Sequence, residues 1–448
     1  MNQRTARPAS GIGDQAAPSD QPRPFRRARL RAGGADNGGR SAFNGHPRIN
    51  QPIGSRMKVS GAKHGTPFLW GASTASHQVE GGNVNNDWWA REHALGLQPS
   101  GDACDSYHRY GEDISLLSGA GLNAYRFSLE WSRIEPAPGQ FSRAALDHYR
   151  RMVDECLSRG VTPVVTLNHF TVPRWFEESG SWRSVDNLGR FERFVDKSLP
   201  VVREGVPWVC TLNEPNLTSV IVNMRHDGSM AFPPAPDPEL AEALLAAHRR
   251  AREVLRSVSG VRSGFTIASF NLQETSEADD EARKLRQDAQ DAWFEAARDD
   301  DFVGVQAYSR IWLGKGGALP TPPGAESTMN GWEYYPAALG EMVRRAWALG
   351  DNTPILVTEN GLATTDDPRR IAYTRDALTG LAAAMADGVD VRAYLHWSLL
   401  DNFEWFEGYK PRFGLIEVDR DTFDRRPKPS LEWLGSVARA NPKGPVNA

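Results

Sequence analysis

One rhythm limits what this chain can fold into more than any other feature: a short apolar run followed by an amphipathic helical stretch, repeated along almost the whole length. The first apolar run opens at Pro67 in FLWGASTASHQVEGG, breaks into a polar, glycine-rich loop, and is followed by a helix start at NDWWAREHA. SYHRYGEDISLLSGAG (106–121) has helical spacing and a glycine stop, and LNAYRFSLEWSRI reads as the next strand. AALDHYRRMVDECLSRG (144–160) is again an amphipathic helix, with VTPVVTLNHF as the strand after it. The cycle continues with helix 187–204 and strand 206–212, helix 237–258 and strand 261–269, and helix 279–298 and strand 302–308. Helix 335–349 with strand 354–359 and helix 369–387 with strand 391–397 complete it. Strict strand–helix alternation implies a parallel sheet. Eight such units predict a single-domain α/β fold closed into a (β/α)8 TIM barrel rather than an open doubly wound sheet. No GxGxxG follows any of these strands, so dinucleotide binding has no support.

In a barrel of this kind the chemistry sits at the C-terminal ends of the strands. Two of those ends are built alike. Ile355, Leu356 and Val357 run into Thr358, Glu359, Asn360 and a glycine, and VPWVCTLNEPN (206–216) ends in Asn213, Glu214 and Pro215. Each is a buried strand delivering a carboxylate at its end. The remaining ends present Gln78, Arg126, His169, Tyr308 and Trp397, and SLLDNFEWFEGYKPRFGL adds Glu404 and Trp405. A lone strand-end glutamate is usually an ion-pair partner, and a lone histidine a supporting group. Convergence of eight ends on one concave face favours catalysis, and paired carboxylates fit glycoside cleavage.

Composition narrows the alternatives. With 40% hydrophobic and 24% charged residues the chain belongs with ordinary water-soluble proteins, and a net charge of −4 gives no basic field for nucleic acid. No run approaches the ~18 apolar residues of a membrane span. Three scattered cysteines, Cys104, Cys156 and Cys210, fit neither a disulfide framework nor a zinc site and agree with a reducing cytoplasm. Fourteen tryptophans suit a carbohydrate site, although most are expected in the core. Residues 1–60 differ in kind: rich in Pro, Gly, Ala, Ser and Arg, they carry ten arginines and Lys58 against Asp14, Asp20 and Asp36. This stretch is expected to be a disordered basic extension without the apolar centre of an export signal, with Met57 as an alternative start. Residues 61–440 are expected to form the barrel and 441–448 a tail.

QVEG, YRFSLEWSRI, TLNEP, TENG and HWSLLDNFEW stand in the order found in glycoside hydrolase family 1, the β-glucosidase family, which residues 66–440 closely resemble. The resemblance implies that Glu214 is the acid/base and Glu359 the nucleophile of a retaining exo-β-glycosidase, with Arg126 and Tyr308 supporting the nucleophile. It further implies Gln78, His169, Asn213, Trp397, Glu404 and Trp405 as the sugar-binding set, Asn213 facing the 2-hydroxyl. Arg126 and Tyr308 would favour an ionised Glu359, and desolvation beside that charge would raise Glu214 enough to make it the acid. Family members acting on 6-phosphorylated sugars avoid a carboxylate at the position of Glu404, so a plain terminal glucose is expected, with galactose or fucose tolerated. No metal and no organic cofactor are expected, and no oligomeric state follows.

Several positions depart from the family pattern. Phe170 and Thr171 follow His169 where an aromatic–acidic pair is common, and Gln306 and Ala307 precede Tyr308 where Asn and Tyr are usual. Asn216 follows NEP where an aromatic is frequent, and 217–236 lacks the familiar glycine-rich loop. These changes concentrate at the support of the nucleophile and at the leaving-group side. Three other readings compete: transfer of the glycosyl unit to an alcohol, a noncatalytic sugar-binding barrel, and metal-dependent hydrolysis through His169 and His396. The second lacks its signature, since both carboxylates are present, and the third lacks HxH or HExxH spacing.

Overall fold

A computed structural model describes residues 67–223 and 232–445. The expected basic extension, the first residues of the expected barrel domain and the last three residues of the tail lie outside the described residues.

Eight parallel strands close on one another: β1 Leu69–Ser73, β2 Ala124–Ser128, β3 Thr162–Asn168, β4 Trp208–Asn213, β5 Arg262–Ala268, β6 Val303–Gln306, β7 Ile355–Glu359 and β8 Val391–Trp397. Each pairs with its neighbours in sequence, and β1 pairs with β8 to close the cylinder. The predicted (β/α)8 barrel is therefore the fold. Its floor is a plug of inward side chains, among them Leu69, Ala124, Val164, Phe302, Leu356 and Leu395, so the lower barrel is packed core rather than a channel. The larger core lies between the strands' outer faces and the surrounding helices.

Those helices start where the sequence supplies caps. Ser142 accepts from Ala145 N at 3.2 Å at the head of Arg143–Ser158. Asp237 accepts from Leu240 N at 2.8 Å ahead of Pro238–Leu255, with proline in its first turn, where a missing N–H costs nothing. The chain's end ties back to the barrel: Trp70 Nε1 donates to Asn441 O at 2.8 Å and Phe68 N to Pro442 O at 3.2 Å. All three cysteines are free and buried.

Three differences from expectation bear on the site. LNAYRFSLEWSRI is not one strand: β2 ends at Ser128, and Trp131–Ile134 turns helical because Glu130 accepts from Ser132 N and caps the turn. Helix 279–298 is interrupted by a π turn at Gln287–Asp291, which presents Ala289 O to Asn216 Nδ2 and Gln290 Oε1 to Asn271 N. Beyond the barrel, Leu272–Glu274, Ile311–Gly314 and Gly317–Ala318 form a small sheet over the mouth near β5 and β6. No helix among the described residues is long and apolar enough to cross a membrane.

Candidate active site

Strand register brings the polar ends to one level. Ser73 pairs with both Trp397 and Arg126, and Asn213 pairs with Thr266. Strict alternation carries Ala124 to Arg126 and Leu395 to Trp397 on the same inward face. The two carboxylate strands need more. Cys210 and Leu356 both point into the barrel, so a residue three positions on would face outward. Register shifts fall between Cys210 and Asn213 on β4 and between Val357 and Glu359 on β7, and they return Asn213 and Glu359 to the mouth. Immediately after Glu359 the chain runs so close to β8 that a β-carbon at Gly361 would lie 2.0 Å from Trp397 O.

Glu359 is 5% exposed and surrounded by donors. Arg126 Nη1 (2.6 Å) and Gln306 Nε2 (2.8 Å) donate to Oε1, and the Tyr308 hydroxyl (2.6 Å) to Oε2. Burial raises its pKa, while the Arg126 charge and the bonds from Tyr308 and Arg126 pull it back toward the ionised form. The fully buried Arg126 spends its other nitrogens on Asn213 Oδ1 (2.6 Å) and Thr166 Oγ1 (3.0 Å). Asn213 Oδ1 also accepts from Thr266 (3.0 Å) and Gln306 (2.9 Å). Those three donors fix the amide so that Nδ2 is the free end, buried and without a partner among the described residues. A buried N–H left empty is a binding group in waiting for a ligand oxygen.

Glu214 is held differently. Its φ of +44° lets the chain leave β4 and enter Pro215–Ile221 at once, a left-handed conformation that costs a non-glycine residue about 1–2 kcal/mol. Among the described residues no side chain donates to its carboxyl, and its pKa is pushed well above the ordinary value by burial first and the Glu359 charge second. Two neighbouring carboxyls thus have opposite surroundings. Burial raises both, but only Glu359 has a guanidinium and a phenol that offset the rise.

The other side of the mouth collects the remaining expected residues. Gln78 Nε2 donates to Phe403 O (2.8 Å), Asn402 Oδ1 (3.2 Å) and Glu404 Oε2 (3.2 Å), while its Oε1 is buried and unpartnered among the described residues. His169 stacks against Trp397 with ring centres 5.9 Å apart, and its Nδ1 is likewise unpartnered. Burial and then Arg126 hold the imidazole well below its usual pKa, so it is neutral. Burial, then Glu359 and Glu407, push Glu404 up to about 8 against hydrogen bonds from Trp397 and Gln78. Trp405 caps this side, edge-on to Trp88 and Phe170. All ten residues expected at the site therefore lie around one mouth.

Two residues emerge that sequence reading had set down only as departures. Gln306 donates to Glu359, and its place at the end of β6, two residues before Tyr308, was the available signal. Asn216 is completely buried and clamps the Glu214 turn: its Nδ2 donates to Ala268 O (2.8 Å) and Ala289 O (3.0 Å), and its Oδ1 accepts from Ala268 N (3.0 Å). Replacing Asn216 with alanine would leave these buried groups unpaired, a loss of about 2 kcal/mol. The expected outcome is a melting point lower by a few degrees and a kcat reduced about tenfold with KM little changed, because Glu214 loses its bearing. An unchanged kcat would make Asn216 merely structural.

Among the described residues no group of three or more His, Cys, Asp or Glu side chains is arranged to hold a metal ion. Comparison with known proteins agrees with the geometry. A family model described as glycosyl hydrolase family 1 matches residues 62–298 and 314–443. Thermostable beta-glucosidase B of Thermobispora bispora is 31% identical over 430 residues, spanning 84% of this chain and 90% of that protein. Beta-glucosidase A of Acetivibrio thermocellus is 29% identical over 440 residues, spanning 84% and 98%. Among solved structures, beta-glycosidase BGL167 is 43% identical with a TM-score of 0.77, over 84% of this chain and 96% of that one. The beta-glucosidase of Thermotoga maritima in complex with glucoimidazole is 28% identical with a TM-score of 0.75, over 84% and 98%.

Proposed function

Because this chain belongs to glycosyl hydrolase family 1, and so is a glycoside hydrolase acting on O-glycosyl bonds, we propose that it releases terminal β-linked glucose from the nonreducing end of small glycosides by double displacement. The observation that carries this reading is the contrast between the two carboxyls: Glu359 has three donors, and Glu214 has burial and a neighbouring charge. Ionised Glu359 attacks the anomeric carbon while Glu214 passes its proton to the departing oxygen. Once Glu359 is tied up in the glycosyl ester its charge is gone, and with it the second cause that raised Glu214. Glu214 then gives up its proton more readily and serves as base for the incoming water. Asn213 Nδ2 suits the sugar 2-hydroxyl, a contact that tightens as charge develops on the ring.

Gln78, His169, Trp397, Glu404 and Trp405 would hold the sugar. A 6-phosphate would meet Glu404, which already resists ionisation because it is buried and faces Glu359 and Glu407, so the plain sugar is favoured. Galactose and fucose fit as tolerated variants, since one carboxyl shared between hydroxyls separates epimers only in part. Hydrolysis is preferred over transfer to an alcohol because the relatives described above carry the name beta-glucosidase. Three free, buried thiols support a cytoplasmic enzyme.

The first product anomer tests this reading. Proton NMR of nitrophenyl β-glucoside hydrolysis is expected to show β-glucose before mutarotation, with the α-glucoside and the 6-phospho-β-glucoside inert. Initial α-glucose would mean inversion and a wider carboxylate pair than double displacement needs.

A further inference from the structure

We propose that the leaving group this site is shaped for is an aromatic alcohol of two or more fused rings, rather than a second sugar. This rests on the reading of Glu214 and Glu359 as the reacting pair. A cavity of about 610 Å³ begins at Gln306 and Tyr308, both bonded to Glu359, and reaches Leu217, three residues past Glu214. That volume suits a drug-sized molecule. Its lining comes from the ends of β4, β5 and β6, whereas the proposed sugar-holding residues come chiefly from β1, β3 and β8 across the barrel. A glycoside whose sugar lies on the far side of the carboxyl pair must extend its leaving group into this cavity.

The walls select what that group can be. Phe232, Phe270, Ile311, Trp312, Leu319 and Trp332 supply apolar surface, and among the described residues Phe232, Leu319 and Trp332 remain 36%, 38% and 41% exposed at the rim. Phe232 stands edge-on to Phe270 at 5.5 Å, and Trp332 lies 5.5 Å from Tyr308, so the lining includes two pairs of aromatic rings. Arg310, Ser309, Ser269 and Thr321 on the wall already have partners. Arg310 is bound through two nitrogens to Glu333 (3.0 and 2.6 Å) and lies over the rings of Tyr335 (3.9 Å) and Trp312 (4.3 Å). Ser309 donates to Glu333 O at 2.6 Å, Ser269 to Ile267 O at 3.0 Å and Thr321 to Gly331 O at 3.4 Å. Among the described residues only Gln306 Oε1 and Trp312 Nε1 on this wall are buried without a partner. A sugar would surrender the hydration of several hydroxyls to a wall that, among the described residues, has only two buried unpartnered polar atoms, and an anionic group would find Arg310 already paired with Glu333. Fused aromatic rings bring no such penalty and cover the exposed rim.

The test compares phenyl and 2-naphthyl β-glucosides, whose leaving phenols are similarly acidic and differ by one fused ring, with cellobiose as the sugar case. The expected kcat/KM is at least about tenfold higher for naphthyl than for phenyl, and cellobiose falls below both. Phe270→Ala and Ile311→Ala should each bring the naphthyl-to-phenyl ratio to within about twofold, mainly through KM. Phenyl glucoside turnover with no naphthyl advantage, or with cellobiose its equal, overturns the proposal and leaves the hydrolase reading standing. If neither aryl glucoside turns over, the hydrolase reading has failed, and calorimetry with free 2-naphthol decides: saturable binding lost in Phe270→Ala supports the cavity's preference, and no binding ends it.

Discussion

Glu359→Gly is expected to lower kcat for nitrophenyl β-glucoside by at least about 10⁴-fold, because a nucleophile that forms a covalent intermediate has no substitute in the resting site. Sodium azide should restore turnover. With the carboxylate removed, azide enters the vacated space between Arg126, Gln306 and Tyr308, attacks the anomeric carbon on the face Glu359 used, and expels the nitrophenolate. One displacement instead of two gives the α-glucosyl azide, which NMR distinguishes from its β isomer. The rescue also answers the obvious objection that the buried Arg126, stripped of its charge partner, unfolds the barrel: a chain that azide reactivates is folded. Rescue at neither carboxylate position would mean that the pair does other work.

Glu214→Ala should produce the complementary pattern. Substrates whose leaving group needs a proton, such as alkyl glucosides, are expected to lose about 10³–10⁴-fold in kcat/KM, whereas dinitrophenyl glucoside, which leaves unaided, keeps most of its first-step rate. Azide then intercepts the glycosyl ester and yields the β-glucosyl azide, with net retention. The pH profile carries an independent sign. The acid must be protonated, so activity is present below the raised pKa of Glu214 and lost as pH climbs through it; the acidic limb belongs to Glu359, which must be ionised. Removing Glu214 should flatten the alkaline limb and leave the acidic one. An alkaline limb that survives unchanged would move the acid role to another group, and Glu404, pushed up to about 8, is the neighbour to examine.

The barrel was legible because each strand is an apolar run followed by helical periodicity, and because eight repeats leave few ways to close a sheet. The two glutamates were legible for a related reason, as charged residues standing where a buried strand ends. What escaped was finer than periodicity can carry. The two register shifts that return Asn213 and Glu359 to the mouth change which face a side chain occupies, and nothing in ILVTE or WVCTLN announces them. LEWSRI looked like continued strand because Leu129, Trp131 and Ile134 extend the apolar run of YRFS, yet the Glu130 side chain captured Ser132 N and turned the backbone. The small sheet made of Leu272–Glu274, Ile311–Gly314 and Gly317–Ala318 has strands too short to show a period, and with it the wall of the cavity beside Gln306 and Tyr308 stayed invisible. Gln306 and Asn216 were visible as departures, but their roles depend on partners on other strands and on a π turn that local sequence does not specify.

Arg126 gives the mouth an uneven capacity for change. One guanidinium holds both Glu359 and Asn213, and Asn213 in turn is held by Thr266 and Gln306, so a substitution at any of these disturbs the proposed nucleophile and the proposed 2-hydroxyl partner together. Across the barrel, Phe270, Ile311 and Leu319 touch the cavity as separate apolar side chains outside that web. If the cavity takes the leaving group as proposed, descendants of this chain can explore new ones a residue at a time, and a library aimed at what the enzyme releases belongs on the segments that follow β5 and β6, at Phe270, Ile311 and Leu319, not on the strands that carry Arg126, Asn213, Thr266 and Gln306.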